Sequence, residues 1–283
     1  MKEFISSVTT QYDGVRILEY LKKPIGLSVS LIKKVKYGGV FINDTSVHMR
    51  ATVNAGDTVR IVLPDDESEG IRQIDMPLDI VYEDEYLIAV NKPRNMPTHP
   101  SKGNSLPTLA EGIMAYFAPQ KFVFRAINRL DRDTSGIVVI AKDAFTADLL
   151  SRELKSGGYV KKYVALLKGI PSPKSGLIDA PIEREEEGSI KRIVRSDGKR
   201  AITEYRFIKS IGENSLCEIT LHTGRTHQIR VHMSHIGHPL VNDFLYGDRC
   251  GSETYRLHAK ELEFTHPFSG KRLKLISKAD FES

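Results

Sequence analysis

Ten residues, Ile127-Asn128-Arg129-Leu130-Asp131-Arg132-Asp133-Thr134-Ser135-Gly136, constrain this chain more than any other stretch. They end in a turn signal, and Ile137-Val138-Val139-Ile140 follows at once, an unbroken apolar run that reads as a buried strand. A charged segment that turns and then enters a core strand leaves Asp131 at the rim of a sheet, between Arg129 and Arg132. The flanking guanidinium charges favour the ionised carboxylate, and an anion held by a turn beside a core strand is placed to attack a substrate. A plain charged turn explains the same residues: Asp133 or Ser135 bonds the local backbone and Gly136 supplies conformational freedom. On spacing alone the plain turn is the commoner case.

The rest of the chain supplies strands for such a sheet. Segments 80–82, 87–90, 137–141, 163–167, 201–208, 216–221 and 257–264 have strand composition, and several follow one another across short turns. That order favours antiparallel pairing in a mixed sheet. Helices are expected over 105–117, 144–154 and from about Arg225 to His235. Ahead of them, 14–23 reads as a short helix ended by Pro24 and Gly26. A second helix is expected over Ser28 to Lys36, with Leu31, Ile32 and Val35 on one stripe and Lys33, Lys34 and Lys36 off it. Small strands at 40–42, near 47–49 and at 57–63, with a turn at Asn43-Asp44, complete a compact α+β unit. The acidic run Pro64-Asp65-Asp66-Glu67-Ser68-Glu69-Gly70 is the best boundary. The expected organisation is a small α+β domain over 1–63, a linker over 64–75, and an α+β domain over 76–283. The last is built on a large mixed, mainly antiparallel sheet flanked by helices. Glu183 to Gly188 is expected to be a charged loop.

Bulk properties narrow the setting. A chain of 283 residues buries roughly three quarters of its unfolded surface and needs no disulfide or metal staple. Cys217 and Cys250 are far apart and in no Cys-x-x-Cys pair, which suits free thiols in a cytoplasmic protein. Met1-Lys2-Glu3-Phe4 lacks the apolar core of a signal peptide, and no run approaches the length that crosses a bilayer. A soluble cytoplasmic protein without a membrane partner is expected, and no protein partner is evident. The net charge is +5 and the pI about 9.0. Residues 1–63 hold nine Lys or Arg against five Asp or Glu, so most of the excess sits there and leans toward a polyanionic partner.

A second dense cluster is Thr223-Gly224-Arg225-Thr226-His227-Gln228-Ile229-Arg230-Val231-His232-Met233. On a helix capped by Thr223 or Thr226, its polar residues spread around much of the circumference, so some are buried and need partners. A carboxylate meeting Arg230 satisfies that need, and Asp131 is the candidate. An ordinary packed helix with solvated basic residues is the plainer account. His232, His235 and His238 recur at a spacing that does not place three ligands on one helical face, and no metal site is expected. Tyr163, in Lys161-Lys162-Tyr163-Val164-Ala165-Leu166, is either a strand tyrosine or a ring that stacks on a planar base. No Walker loop, G-x-G-x-x-G or G-x-S-x-G occurs, so phosphoryl transfer, hydride transfer and serine hydrolysis lose support.

Taken in order, these segments resemble the RluA/RluD family of pseudouridine synthases. The residues that carry the resemblance are Arg129-Leu130-Asp131 through Thr134-Ser135-Gly136, Lys162-Tyr163-Val164-Ala165, Gly224 through His232, Gly237-His238-Pro239 through Tyr246-Gly247, and Leu257-His258-Ala259. Asn91-Lys92-Pro93 and Thr98-His99-Pro100 fit a family segment near the start of the domain, and the order holds over roughly 76–276. The region from Leu27 to Asp57 is similar to the small RNA-binding domain named for ribosomal protein S-four, whose basic second helix would turn Lys33, Lys34 and Lys36 to RNA phosphates. One departure is Asn128, where the family commonly has His; Asn hydrogen-bonds but does not titrate.

The resemblance implies a pseudouridine synthase fold and isomerisation of uridine within structured RNA, with no cofactor. Asp131 would begin the reaction by attack at the sugar or the base, or by abstracting a sugar proton. Arg230 would orient it, Tyr163 would stack on the target base and assist removal of the ring proton, and Arg129 and Arg225 would bind RNA. Large-subunit ribosomal RNA is the first substrate expected and transfer RNA the second. Two other readings use the same residues. One is a non-catalytic RNA-binding or ribosome-assembly factor; the other is a glycosidase working with Asp131 and Asp133 as a carboxylate pair.

Overall fold

Strand composition after Gly136 is so apolar because that strand lies at the centre of the molecule. A computed structural model describes residues 2–64, 70–101, 103, 105–118, 120–248 and 254–282. Residues 65–69 of the expected linker, and Cys250, lie outside the described residues.

The leading residues form β1 (Lys2–Ser7), β2 (Val15–Arg16), α1 (Ile17–Lys22), α2 (Val29–Val35), β3 (Val40–Ile42), β4 (Thr45–Ser46), β5 (Thr52–Val53) and β6 (Thr58–Leu63). Four of the strands make one sheet in the order β1-β6-β3-β4. Helix α1 starts three residues later than the apolar spacing suggests, because Val15 and Arg16 pair with Val53 and Thr52 as strands. Helix α2 matches its expectation: Ser28 Oγ accepts the Leu31 N–H at 3.3 Å, and Leu31, Ile32 and Val35 are buried. Asn43 and Asp44 both adopt left-handed backbone (φ 47° and 62°), and Ile42 pairs directly with Thr45. A two-residue turn leaves no gap before the return strand, so β4 begins at Thr45 and not near Val47.

The remaining residues form β7 (Ile80–Glu83), β8 (Leu87–Lys92), α3 (Leu109–Tyr116), β9 (Ser135–Ala141), α4 (Ala144–Lys155), β10 (Val160–Lys168), β11 (Ser175–Asp179), β12 (Ile182–Arg184), β13 (Arg192–Val194), β14 (Ile202–Ile211), β15 (Asn214–Leu221), α5 (Gln228–His235), β16 (Leu257–Thr265) and β17 (Arg272–Ile276). Among the described residues they build a nine-stranded sheet, β11-β14-β15-β10-β16-β9-β8-β7, with β17 paired to β16. Every pairing is antiparallel except β9 with β16. The expected mixed, mainly antiparallel sheet is therefore the observed one. All seven residues of β9 are buried.

The strands that composition missed are β1, β2, β5, β11, β12, β13 and β17. Most are short edge elements, and β11 and β17 each bury a single residue, too little for a periodic signal. Segment 183–188 is only partly a loop, since β12 continues to Arg184 and pairs with Arg192. Helix α3 begins at Leu109, beyond Pro107, with a capping box: Thr108 Oγ1 accepts the Glu111 N–H at 3.3 Å and Glu111 Oε2 accepts the Thr108 N–H at 2.9 Å. Helix α4 meets the leading residues, where Asp148 Oδ2 accepts the Ser28 N–H at 3.1 Å and Phe145 sits edge-on to Phe4. No helix among the described residues is long and apolar enough to cross a membrane.

One glycine is demanded by this layout. Gly136 has φ +114°, and a Cβ there would lie 2.4 Å from the Ala259 carbonyl oxygen of β16. The close approach lets β16 pair with β9 at Ser135 and Gly136, immediately after the Asp131 turn.

Candidate active site

The segment before β9 is clamped to its surroundings on both flanks. Asn128, in the position commonly held by His in the resembling family, bridges β9: its Nδ2 donates to the Ile137 carbonyl and its Oδ1 accepts the Val139 N–H, each at 2.9 Å. Thr98 Oγ1 donates to the Leu130 carbonyl at 2.9 Å and accepts the Leu130 N–H at 3.3 Å. The Thr134 N–H closes the turn on the Asp131 carbonyl at 3.1 Å. Beneath the turn lies Lys92, fully buried, whose ammonium donates to the carbonyls of Pro93, Met96 and Arg132 at 2.9, 2.7 and 3.1 Å. Burial pulls the Lys92 pKa down to about 7, while the charges of Asp131 and Asp133 pull against it. The turn is thus fixed by main-chain contacts, and the Asp131 side chain, 31% exposed, projects from its tip.

The two arginines flanking Asp131 behave differently from the simple expectation. Arg132 turns to its neighbour, donating from Nε and Nη2 to the two oxygens of Asp133 at 3.0 and 2.8 Å. Asp133 is buried and committed to that pair, so it does not act with Asp131 as a glycosidase-type carboxylate couple. Arg129 remains exposed at the cleft.

Arg230 arrives from α5, and it is buried. Its Nη1 lies 3.6 Å from Asp131 Oδ2. Its closer partner is Asp243, which accepts from Nε at 2.7 Å and Nη2 at 2.8 Å. Asp243 also accepts the Leu245 and Tyr246 N–H groups. The guanidinium lies over the rings of Tyr255 and Tyr246, with centroids at 4.4 and 4.9 Å. Burial opposes the charge on Arg230, but the bonds to Asp243, then Tyr255, Asp243 and Asp131, raise its pKa and keep it a cation.

Helix α5 starts later than the sequence suggests. Arg225 and His227 precede it, and neither Thr223 nor Thr226 is its N-cap. The N-cap is His227, with left-handed backbone (φ 58°, ψ 17°) and no side-chain bond to the helix. Gln228 organises the entry: its Oε1 accepts from the Thr223 hydroxyl at 2.8 Å and the Arg225 N–H at 2.9 Å. His227 Nε2 comes within 3.8 Å of Asp131 Oδ2, the same oxygen that faces Arg230.

Two adjoining cavities open at Asp131. The smaller one, about 70 Å³, is lined by Asp131, Tyr163, Arg225, His227, Arg230 and Leu257 among others. The larger one, about 750 Å³, takes in Thr98, His99, Arg129, Asp131, Ile190, Phe244 and Tyr255. The larger volume lies in the ordinary range for ligand sites. Tyr163 is half-buried on β10; burial, reinforced by the Asp131 charge, pushes its hydroxyl up, so the ring beside the carboxylate is a neutral phenol. Arg225 is exposed at the smaller cavity, and its Nε donates to the Arg200 carbonyl at 2.9 Å. Asp131, Tyr163, Arg230, Arg129 and Arg225 are therefore gathered at one place. Lys33 and Lys34 are exposed on α2, and Lys36, its C-cap, lies over the Tyr37 ring; none of the three lines this cleft.

Two of the three spaced histidines, His232 and His238, are held by hydrogen bonds, and His235 is exposed. His232 places Nδ1 2.9 Å from Thr203 Oγ1 and Nε2 2.9 Å from the Ala180 carbonyl, and His238 Nδ1 lies 2.9 Å from the Lys168 carbonyl. Among the described residues no group of His, Cys, Asp and Glu is arranged to hold a metal. The residues that sequence reasoning did not assign here are Asp243, Tyr246, Tyr255, His227 and Lys92. All but Tyr255 sit inside segments that carried the family resemblance, which was their available signal.

A family model described as RNA pseudouridylate synthase matches residues 86–235. The chain is 35% identical over 256 residues to the Uncharacterized RNA pseudouridine synthase YjbO of Bacillus subtilis (strain 168), covering 88% of this chain and 90% of that protein. It is 34% identical over 265 residues to the Ribosomal large subunit pseudouridine synthase D of Xylella fastidiosa, covering 87% of this chain and 80% of that protein. A solved structure, Human RNA Pseudouridylate Synthase Domain Containing 1, is similar with a TM-score of 0.60 at 27% identity, covering 76% of this chain and 87% of that one.

Proposed function

This chain belongs to the family of RNA pseudouridine synthases, and on that premise we propose that Asp131 begins the isomerisation of an everted uridine. The reaction detaches the base from its sugar, rotates it and rejoins it through carbon, so no atom is gained or lost. The observation that carries the assignment is the asymmetry around the carboxylate. Arg230 and His227 both approach Oδ2, which leaves Oδ1 for the nucleoside. Attack at the anomeric carbon, attack at the base and abstraction of a sugar proton would all start from that oxygen; a carboxylate acting at a glycosidic carbon has precedent in retaining glycosidases.

Tyr163 supports the base by stacking. Burial and the Asp131 anion hold its phenol proton, so the phenolate that would assist removal of the ring proton forms more readily once Asp131 has lost its charge. Arg129, at the mouth, fills the place vacated by the flipped nucleotide or holds its phosphate. Arg225 binds the strand beyond. The exposed Ile190 and Phe244 offer apolar surface to neighbouring bases in the same cleft. Eversion costs a few kcal/mol, and basic surface offsets it.

We divide the chain into an RNA-binding domain over 1–63, a linker over 64–75 and the catalytic domain over 76–283. The first contributes Lys33, Lys34 and Lys36 to phosphate binding. Large-subunit ribosomal RNA is the substrate favoured by the name of one relative, with transfer RNA second, and the place of action is the cytoplasm. The test is Asp131→Asn. Pseudouridine formation, followed by tritium release from uridine-labelled RNA, should be abolished while RNA affinity stays within a few-fold. Turnover at the normal rate would refute the role of Asp131.

A further inference from the structure

His227 occupies a strained place for no local structural reward. It is a non-glycine residue with left-handed backbone at a helix N-cap, and its ring makes no capping bond. Its ring is instead held from behind. Nδ1 lies 2.8 Å from the Tyr246 hydroxyl, and that hydroxyl oxygen accepts the Arg192 N–H at 2.9 Å. The Arg192 N–H takes one acceptor position of that oxygen, and among the hydrogen bonds the structure shows for Tyr246, Nδ1 is the acceptor available to its hydroxyl proton. His227 then carries its own proton on Nε2. Nε2 is the atom that faces Asp131 Oδ2, at 3.8 Å.

We propose that His227 is a positioning residue that acts as a neutral Nε2–H donor, tautomer-locked by Tyr246, and with Arg230 holds Oδ2 of Asp131 so that Oδ1 meets the nucleoside. The inference rests on Asp131 being the reacting group. The separation of 3.8 Å is longer than a hydrogen bond, and catalytic contacts are often this long before substrate binds. The charged and titratable groups facing the imidazole are Asp131 from its turn, Arg230 from α5, Asp243 and Tyr246 from the loop after α5, and Arg192 from β13. Burial, with Arg230 and Arg192, keeps the ring below its ordinary pKa against the pull of Asp131 and Asp243. The neutral donor is therefore the form present at neutral pH. A fixed neutral donor suits this task, since an imidazolium would draw the carboxylate into an ion pair and blunt it.

The test compares His227→Leu, His227→Gln and Asp131→Asn in the full-length protein on an RNA of wild-type sequence. Gln keeps an N–H near the Nε2 position and cannot titrate. His227→Leu should lose at least about tenfold in kcat, by analogy with lost charge-stabilising donors, with KM nearly unchanged. His227→Gln should recover most of kcat and flatten the acid limb of the pH profile. Wild-type kcat in His227→Leu, or equal impairment of the Leu and Gln variants with the same acid limb, would overturn the proposal. Asp131→Asn separates the two levels: if it is inactive while His227→Leu is normal, only the role of His227 fails; if it turns over, the nucleophile assignment fails first.

Discussion

Replacing Arg230 by Met separates its two jobs. The first is structural. Asp243 is fully buried and receives Arg230 through two bonds of 2.7 and 2.8 Å. Removing one partner of a buried pair costs about 3–5 kcal/mol. Asp243 keeps the Leu245 and Tyr246 N–H groups, which places the expected loss near the lower end, about 3 kcal/mol. The second job is electrostatic. Arg230 Nη1 stands 3.6 Å from Asp131 Oδ2, and unit charges at such a distance attract by about 4–5 kcal/mol at an effective dielectric of ~20. Asp131 is 31% exposed, so solvent removes much of this, and about 2 kcal/mol of orientation and charge control corresponds to roughly a 30-fold loss in rate. Arg230→Met combined with Asp243→Leu removes both buried charges. Urea unfolding should show the stability returning in the double variant, while tritium release stays as low as in the single variant. If activity returned together with stability, Arg230 would be a brace alone and its action on Asp131 would be disproved. A single variant as stable as the parent would refute the buried-pair reasoning.

Two further outcomes follow from other parts of the molecule. Lys33→Gln with Lys34→Gln, on the outer face of α2, should weaken RNA binding and reduce the slope of log affinity against log salt by about one for each phosphate no longer neutralised; an unchanged slope in filter binding would take α2 out of the RNA interface. Glu111 tests acid stability: burial pushes its carboxyl up, but the Thr108 N–H and hydroxyl and Arg72 outweigh burial and hold it below its ordinary value of 4.5. A depressed carboxylate stabilises the fold above its unfolded pKa and loses that contribution as pH falls through the lower folded value. Glu111→Gln, which keeps the capping-box geometry, should lower stability by about 1 kcal/mol at pH 7, and the difference should vanish in thermal melts taken at strongly acid pH.

The elements legible in the sequence are those whose burial is either continuous or periodic. Strand β9 announced itself because both faces are covered, and α2 because one stripe is apolar and Ser28 caps it. Strands β11 and β17 were not legible because each buries one residue and owes its conformation to a neighbour's hydrogen bonds. The start of α5 lies later than composition suggests for a related reason. Residues 225–227 have helix-compatible composition, but Gln228 ties Thr223 and Arg225 into a turn, and His227 takes a left-handed conformation that no local propensity favours.

The same distinction explains the site. Asp131, Tyr163 and Arg230 could be nominated from their surroundings in sequence, yet the partner of Arg230 could not. With Asp131 the reacting carboxylate nominated in the signature, the economical pairing was Arg230 with Asp131. That pairing conflicts with the chemistry asked of Asp131. A buried guanidinium needs a full counter-charge and bonds for its donors, and a carboxylate that supplied both would have its two oxygens occupied. Asp131 would then be an ion-pair member and a poor reactant. The fold resolves the conflict by giving Arg230 a second, fully buried carboxylate, Asp243, which takes Nε and Nη2 and leaves only Nη1 directed at Asp131. Asp131 thereby feels a cation without being captured by it, and one of its oxygens stays available to the cleft. Any carboxylate that must be both ionised and reactive next to a buried arginine needs such a third group, and here that group lies thirteen residues after Arg230, beyond the end of its helix.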